Sequence, residues 1–126
     1  MNPATSSTDS LALEIQLALD RLHKDEWALT KVRETYSNSL SPAEAFESVV
    51  KVAELALLQT DQYAFLTCCW LVRDLAKRSD TAQAPSGLGS ILTKLALTAK
   101  QFDVSGELKP IYTWYRLPLA SLSSQS

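Results

Sequence analysis

The chain is 126 residues long, and 46% of it is hydrophobic and 21% charged, a balance that is typical of a globular domain and excludes a wholly disordered protein. Three glycines and five prolines are few turn-forming residues, so the composition favours helices over many short strands. The net charge of −2 at pH 7 excludes the strongly positive domain that nucleic-acid binding normally requires.

The charges are distributed unevenly along the sequence. Residues 1–61 contain five basic and ten acidic side chains, whereas residues 62–126 contain seven basic and four acidic ones. The first part therefore carries −5 and the second part +3. This asymmetry is typical of a protein that meets a charged partner through one face, and chance produces it as well.

The two ends of the sequence differ from its middle. Residues 1–9 are mostly polar and lack the basic start and apolar core of a secretion signal. We expect a disordered N-terminus over residues 1–9, an all-helical domain over residues 10–118 and a disordered, serine-rich tail over residues 119–126. Without a secretion signal, we expect the protein to be cytoplasmic.

The first predicted helix carries an apolar stripe with spacings of mostly three and four residues, formed by Leu11, Ile15, Ala18, Leu22, Leu29, Val32 and Tyr36. This period indicates a helix, and Asp9 or Ser10 can cap its start. One helix over residues 10–37 would be about 42 Å long at 1.5 Å per residue, which is long for a domain of this size. We therefore expect a bend or break around residues 23–25, although neither glycine nor proline enforces one there.

The second predicted helix has the clearest start. Ser41 to Glu44 combine the spacing of a capping box with Pro42 at the first helical position. Its predicted core face consists of Phe46, Val49, Val50, Ala53 and Leu57. Its opposite face carries Glu44, Glu47, Lys51 and Glu54, with Glu47 and Lys51 spaced for an ion pair. Such a stripe is usually solvated surface, but its negative sign makes it the best candidate for binding a basic partner.

The third predicted helix contains the longest uncharged stretch, residues 63–72. Thr60 and Asp61 cap its start, and it should end near Arg78. The uncharged stretch is about half of the ~20 residues that cross a bilayer, so it predicts a core helix and no membrane span. A helix that is apolar on nearly every side should be covered by neighbours on several faces.

A loop is predicted over residues 79–87. The fourth helix follows, with an apolar side formed by Leu88, Ile91, Leu92, Leu95, Ala99 and Phe102. A turn around Gly106 leads to a short fifth helix with Pro110 in its first turn, where a missing N–H removes no hydrogen bond. Pro118 should stop this helix.

The fifth helix carries residue types that are enriched at binding hot spots, namely Tyr112, Trp114, Tyr115 and Arg116. On a terminal helix they can equally seal the end of the core. Spacing places both tyrosines on the inner face with Leu108 and Ile111. Trp114 is then the more exposed aromatic side chain.

The reactive side chains do not form a recognisable catalytic or metal site. His23 has no second histidine or cysteine at ligand spacing. Cys68 and Cys69 lie in the uncharged stretch, where burial should raise a thiol pKa and leave both as small core residues. The glycines near residue 87 lack the pattern of a phosphate-binding loop. We therefore expect no catalytic residue, cofactor or metal ion.

Five to six amphipathic helices joined by short loops predict an all-α domain, packed as a bundle or as a short stack of helical hairpins. In this general pattern, residues 10–117 resemble the small all-helical immunity proteins of bacterial contact-dependent inhibition systems, and also HEAT-like helical-hairpin proteins. The resemblance implies a cytoplasmic, non-catalytic protein that neutralises a basic toxin domain, such as a nuclease, by covering its surface. We expect the partner-binding residues to be Glu44, Glu47, Glu54, Asp61 and Trp114.

Three alternatives remain open. A general helical adaptor would share the same fold without a toxin partner. A small DNA-binding regulator would use residues 86–101 as its recognition helix, but Lys94 and Lys100 are the only basic side chains there, so we expect no nucleic-acid partner. An enzyme would need a pocket with convergent carboxylates.

Overall fold

The computed structural model describes the backbone of residues 3–118 and the side chains of residues 10–118. Within that range the chain contains no strand, and it folds into six α-helices that pack as one all-helical domain: α1 (Pro3–Arg21), α2 (Ala28–Asn38), α3 (Pro42–Leu57), α4 (Gln62–Arg78), α5 (Leu88–Gln101) and α6 (Lys109–Trp114). A 3₁₀ turn, Ser105–Leu108, leads into α6. The all-α class is confirmed. None of the described helices combines the length and apolarity needed to cross a membrane.

α1 begins earlier than the sequence predicts. Its first residue is Pro3, so Asp9 and Ser10 lie inside the helix and their assignment as caps is wrong. Proline suits a first helical position because its φ is already helical and its missing N–H would have no partner there. Residues 3–9, assigned to a disordered N-terminus, form the first part of α1, and the tail predicted over residues 119–126 lies outside the described residues.

The predicted break between the first two helices is confirmed. α1 ends at Arg21 and α2 begins at Ala28. Asp25 holds the intervening turn: its Oδ1 accepts the Trp27 N–H at 3.0 Å, and its Oδ2 accepts a hydrogen bond from Lys31 Nζ at 2.9 Å. The hydrogen bond from Lys31, followed by that from Trp27, lowers the pKa of Asp25. The Asp25 carboxylate therefore stabilises a turn that contains neither glycine nor proline.

The capping box at the start of α3 is confirmed. Ser41 Oγ accepts the Glu44 N–H at 3.2 Å, and Glu44 Oε1 accepts the Ser41 N–H at 2.9 Å. The predicted core face is only partly right, because the buried side chains are Ala45, Ser48, Val49, Val52, Ala53, Leu55 and Ala56. α3 packs on both α4 and α5, which widens its buried face and leaves Phe46 and Val50 half-buried. Among the described ion pairs there is none between Glu47 and Lys51.

α4 lies at the centre of the domain, packed against α2, α3 and α6. Asp61 caps it, as predicted, by accepting the N–H groups of Tyr63 and Ala64 at 2.8 and 3.1 Å. Most of its apolar side chains are fully buried, including Phe65, Leu71 and Leu75. One edge is not covered, since Tyr63 is 57% exposed and Leu66 and Trp70 are half-buried. The expectation that neighbours cover α4 on several faces is confirmed, and this edge is the part that they leave open.

Both α5 and α6 are followed by a residue that is not glycine but has a left-handed backbone conformation. Asp103 (φ 61°) follows α5 and Arg116 (φ 57°) follows α6. The next residue then donates back into the helix, with Val104 N–H to Ala99 O and Leu117 N–H to Tyr112 O, both at 2.8 Å. These bonds satisfy the last carbonyls of each helix in a Schellman arrangement. α6 therefore ends at Trp114, before the expected stop at Pro118.

Candidate protein-binding surfaces

The thiols and the imidazole lie in different environments. Cys68 and Cys69 are 0% and 1% exposed, and burial raises the pKa of Cys68 to about 12 and that of Cys69 further still. His23 is exposed in the turn between α1 and α2. In the part of the chain that the structure describes, no three His, Cys, Asp or Glu side chains are grouped to hold a metal ion. The cysteines are therefore thiols packed in the core.

The acidic stripe of α3, formed by Glu44, Glu47 and Glu54, is exposed along its length. Glu44 is engaged in the capping box, and the hydrogen bonds from Ser41 lower its pKa, so its charge persists into mild acid. The carboxylates of Glu47 and Glu54 make no hydrogen bond or ion pair with another described residue. Lys51, between them, is half-buried. The stripe thus presents two uncommitted carboxylates to solvent.

Asp61, also expected to bind a partner, is exposed but already has a structural role. Its Oδ1 accepts both amide hydrogen bonds that start α4. It lies in the connection between α3 and α4, close in sequence to Leu58, whose side chain is 75% exposed. A partner that contacts Asp61 can use the second carboxylate oxygen without opening the cap.

Trp114 lies away from the acidic stripe in a different setting. It is half-buried, and its indole Nε1–H donates to Thr81 O at 2.9 Å. It lines a groove of about 680 Å³ together with three basic residues and one acidic residue, Lys77, Lys109, Arg116 and Asp80. α6 packs on α4 and the 3₁₀ turn, whereas α3 packs mainly on α4 and α5. The structure therefore gives Trp114 a cationic neighbourhood, unlike that of the glutamates with which it was grouped.

The other aromatic residues of this segment seal the core. Tyr112 and Tyr115 are 5% and 6% exposed, and Leu108 and Ile111 beside them are fully buried. The inner face predicted from spacing is confirmed. The Tyr115 hydroxyl is buried without a hydrogen-bond partner among the described residues, and burial raises its pKa to about 12.

A second groove, between α2 and α4, was not expected from the sequence. This α2–α4 groove has a volume of about 310 Å³, at the lower end of the range of ligand pockets. Its apolar lining consists of Leu22, Leu29, Tyr63, Leu66 and Trp70, and its polar lining of Glu26, Thr30, Arg33 and Thr67. Tyr, Trp and Arg are the residue types enriched at binding hot spots. All three types line this groove, whereas both tyrosines of α6 and the residue after it are buried.

Arg33 closes one part of the α2–α4 groove. Its guanidinium carbon lies 5.5 Å from the centroid of the Trp70 ring, a cation–π distance. Its Nε is 3.0 Å from Asp74 Oδ2, but the Nε–H is not aligned for a hydrogen bond. Arg73 Nη2 lies 3.5 Å from the other oxygen of Asp74. Two guanidinium groups therefore share one carboxylate, which leaves one excess positive charge.

The groove residues come from distant parts of the sequence, which is why the sequence did not reveal them. Arg33 is on α2, Trp70 is on α4, and the Trp70 Nε1–H donates to Glu107 Oε2 in the 3₁₀ turn at 2.9 Å. One local signal was available. Tyr63, Leu66 and Trp70 recur at spacings of three and four on one face of α4, a stripe that reads equally well as core.

No known protein family matches the chain, no curated protein is similar to it in sequence, and no solved structure matches it.

Proposed function

We propose that this chain is a non-catalytic protein-binding protein, and most specifically an immunity protein that neutralises a basic bacterial toxin by covering its surface. The observation that carries the proposal is the acidic stripe, where Glu47 and Glu54 are exposed on a well-capped helix and uncommitted to other described residues. Exposed carboxylates on a rigid helix are pre-organised for a basic surface, because little ordering is needed on binding.

A toxin that acts on nucleic acid presents cations to hold its polyanionic substrate. An acidic surface that docks on those cations competes with the substrate directly. Complementary charge speeds association and suppresses wrong partners more than it raises affinity. The interaction should therefore weaken as salt rises, since exposed charges are screened beyond about 8 Å at physiological ionic strength.

The alternatives are supported less directly. A general helical adaptor draws support from the α2–α4 groove, whose aromatic and apolar lining suits a partner segment. A DNA-binding regulator has little support. Helix α5 buries Leu88, Leu92 and Leu95 in the core and exposes only Lys94 and Lys100 as basic side chains.

Charge reversal tests the proposal. The double variant Glu47→Lys, Glu54→Lys changes two exposed residues and should fold normally. The matched control is Glu14→Lys, Asp20→Lys, which makes the same charge change on exposed positions of α1. Glu44 is left unchanged because it holds the capping box. Both are co-expressed with the product of the gene just upstream of this chain's gene, and affinity is measured by calorimetry at two salt concentrations.

On the proposal, the wild type and the control rescue cell growth, whereas the α3 variant loses rescue and binds at least about a hundredfold more weakly, or ~2.7 kcal/mol. If the wild type fails to rescue cells from that protein, the immunity function is rejected. Equal affinity of the α3 variant and the control would reject the acidic stripe as the binding surface.

A further inference from the structure

The two walls of the α2–α4 groove are faces of helices. Tyr63, Leu66 and Trp70 form the α4 wall, and Leu29 with Thr30 contributes to the α2 wall. Two side chains of this lining are hot-spot types with large exposed or half-exposed rings. A groove bounded by helical stripes is complementary to the apolar stripe of a third helix, which presents side chains at the same spacings of three and four.

Arg33 has unused hydrogen-bonding capacity. A guanidinium has five N–H donors, yet Arg33 donates no hydrogen bond to a described residue and has only the ion pair with Asp74 and the contact with Trp70. Its side chain is 19% exposed and lines the groove. Because Arg73 shares the same Asp74, these three side chains together carry a net charge of +1. A carboxylate entering the groove can accept a bidentate pair of hydrogen bonds from Arg33.

Glu26 supplies the opposite charge. It is exposed, lines the groove and pairs with no other described residue. It lies in the turn two residues before α2, and Arg33 lies five residues beyond the first residue of that helix, or roughly 7.5 Å along it at 1.5 Å per residue. The groove therefore combines an apolar lining with a free carboxylate just before α2 and an under-used guanidinium further along that helix.

We infer that the α2–α4 groove binds an amphipathic helix of a partner protein. The apolar stripe of that helix packs on Tyr63, Leu66 and Trp70, a Lys or Arg of the helix pairs with Glu26, and an Asp or Glu about two turns away accepts from Arg33. This inference rests on the proposed function only in that the partner is a protein. It adds a second contact, distinct from the acidic stripe, and specifies the chemistry of the segment that fills it.

Three synthetic helical peptides test the inference. All share an alanine background with leucines on one face. The first carries a lysine and a glutamate two turns apart, the second two lysines and the third two glutamates at the same positions. Binding to the full-length protein is followed by backbone amide chemical shifts up to about 1 mM peptide, which detects interactions near −4 kcal/mol.

The lysine–glutamate peptide should bind most tightly and shift the amides of Leu66, Thr67 and Trp70. Glu26→Lys should reverse the preference, so that the two-glutamate peptide binds at least about tenfold more tightly than the lysine–glutamate one. Glu14→Lys, an exposed acid outside the groove, should leave the order unchanged. Tyr63→Ser should weaken binding, whereas Leu58→Ser, which removes a more exposed apolar side chain elsewhere, should not.

Shifts that are absent, or that spread outside the groove, would overturn the inference, and so would equal effects of Glu26→Lys and Glu14→Lys. The outcome is independent of the toxin experiment. Peptide binding in the groove without rescue of cells leaves the inference standing and rejects the immunity function. Rescue that depends on Glu47 and Glu54, without peptide binding, supports the immunity function and overturns the inference.

Discussion

The indole of Trp70 donates a hydrogen bond to Glu107 Oε2 at 2.9 Å, which ties the central helix α4 to the 3₁₀ turn that leads into α6. The same ring lies under the guanidinium of Arg33. Trp70 is thus the point where α2, α4 and the 3₁₀ turn meet. Its half-buried ring serves as a wall of the α2–α4 groove, and packing neighbours do not enclose it fully.

Glu107→Ala should lower the free energy of unfolding by about 1 kcal/mol, because it removes one hydrogen bond at an exposed position. Glu107→Gln keeps an acceptor and should lose less than half of that. Chemical denaturation followed by tryptophan fluorescence measures both. Equal stability of wild type and Glu107→Ala would show that the bond does not anchor the 3₁₀ turn.

Asp74→Ala should lower the free energy of unfolding by roughly 2–3 kcal/mol, because it leaves Arg33 and Arg73 without their shared carboxylate. This is below the 3–5 kcal/mol of a fully buried pair, since these side chains are 19% to 27% exposed. A double-mutant cycle with Arg33→Met isolates the Arg33–Asp74 term. If the losses of stability in the two single variants add up to the loss in the double variant, the 3.0 Å contact between Arg33 Nε and Asp74 Oδ2 contributes no coupling energy.

Both thiols should be unreactive in the folded protein. The pKa of Cys68 is raised to about 12 by burial, so almost no thiolate exists at pH 8, and access of reagents is blocked as well. Ellman's reagent should detect no thiol in the native protein and two in denaturant, the number in the sequence. One rapid equivalent without denaturant would contradict the buried placement of Cys68 and Cys69.

Gly87 and Gly89 should respond in opposite directions to alanine. Neither site would bring a Cβ within 4 Å of another group, so only the backbone decides. Gly87 has φ +87° at the start of α5, and alanine there should destabilise the fold by about 1 kcal/mol. Gly89 lies within the helix, where alanine should stabilise it by up to about 1 kcal/mol. Thermal unfolding of both variants measures the contrast.

The capping box of α3 should make stability depend on pH in mild acid. The folded-state pKa of Glu44 lies below its ordinary value of 4.5, chiefly through the hydrogen bond from the Ser41 backbone. The stabilisation is therefore complete above pH 4.5 and is lost as pH falls through the folded-state pKa. Glu44→Gln should flatten this part of the pH profile, whereas Glu47→Gln should not. Identical profiles for both variants would contradict the assignment.

Local signals predicted most of the helices. The spacing of apolar residues indicated them, and Ser41 and Asp61 marked two of their starts through hydrogen bonds that span three residues or fewer. Pro3 was missed because Asp9 and Ser10 offered a competing cap, and a residue type that caps helices can also occur inside one. The end of α6 was missed because Arg116 adopts a left-handed conformation for which its side chain gives no signal.

The candidate sites also differ in how far the sequence alone predicts them. Exposure of Glu47 and Glu54 follows from helical period alone, so it could be read from the sequence. The α2–α4 groove depends on how α2 packs against α4, a contact between residues more than thirty positions apart, such as Arg33 and Trp70. An aromatic residue in an uncharged run looks like core, and only tertiary packing decides whether one side is left open.

The turn between α1 and α2 carries contacts that an ordinary surface loop does not have. Asp25 accepts hydrogen bonds from the Trp27 N–H and from Lys31 Nζ, and Leu22 and Glu26 line the α2–α4 groove. Residues 22–27 are the whole connection between the two helices, so deletion of one of them, such as Lys24, would displace some of these contacts. Length variation here should therefore be tolerated less than in a loop without such contacts.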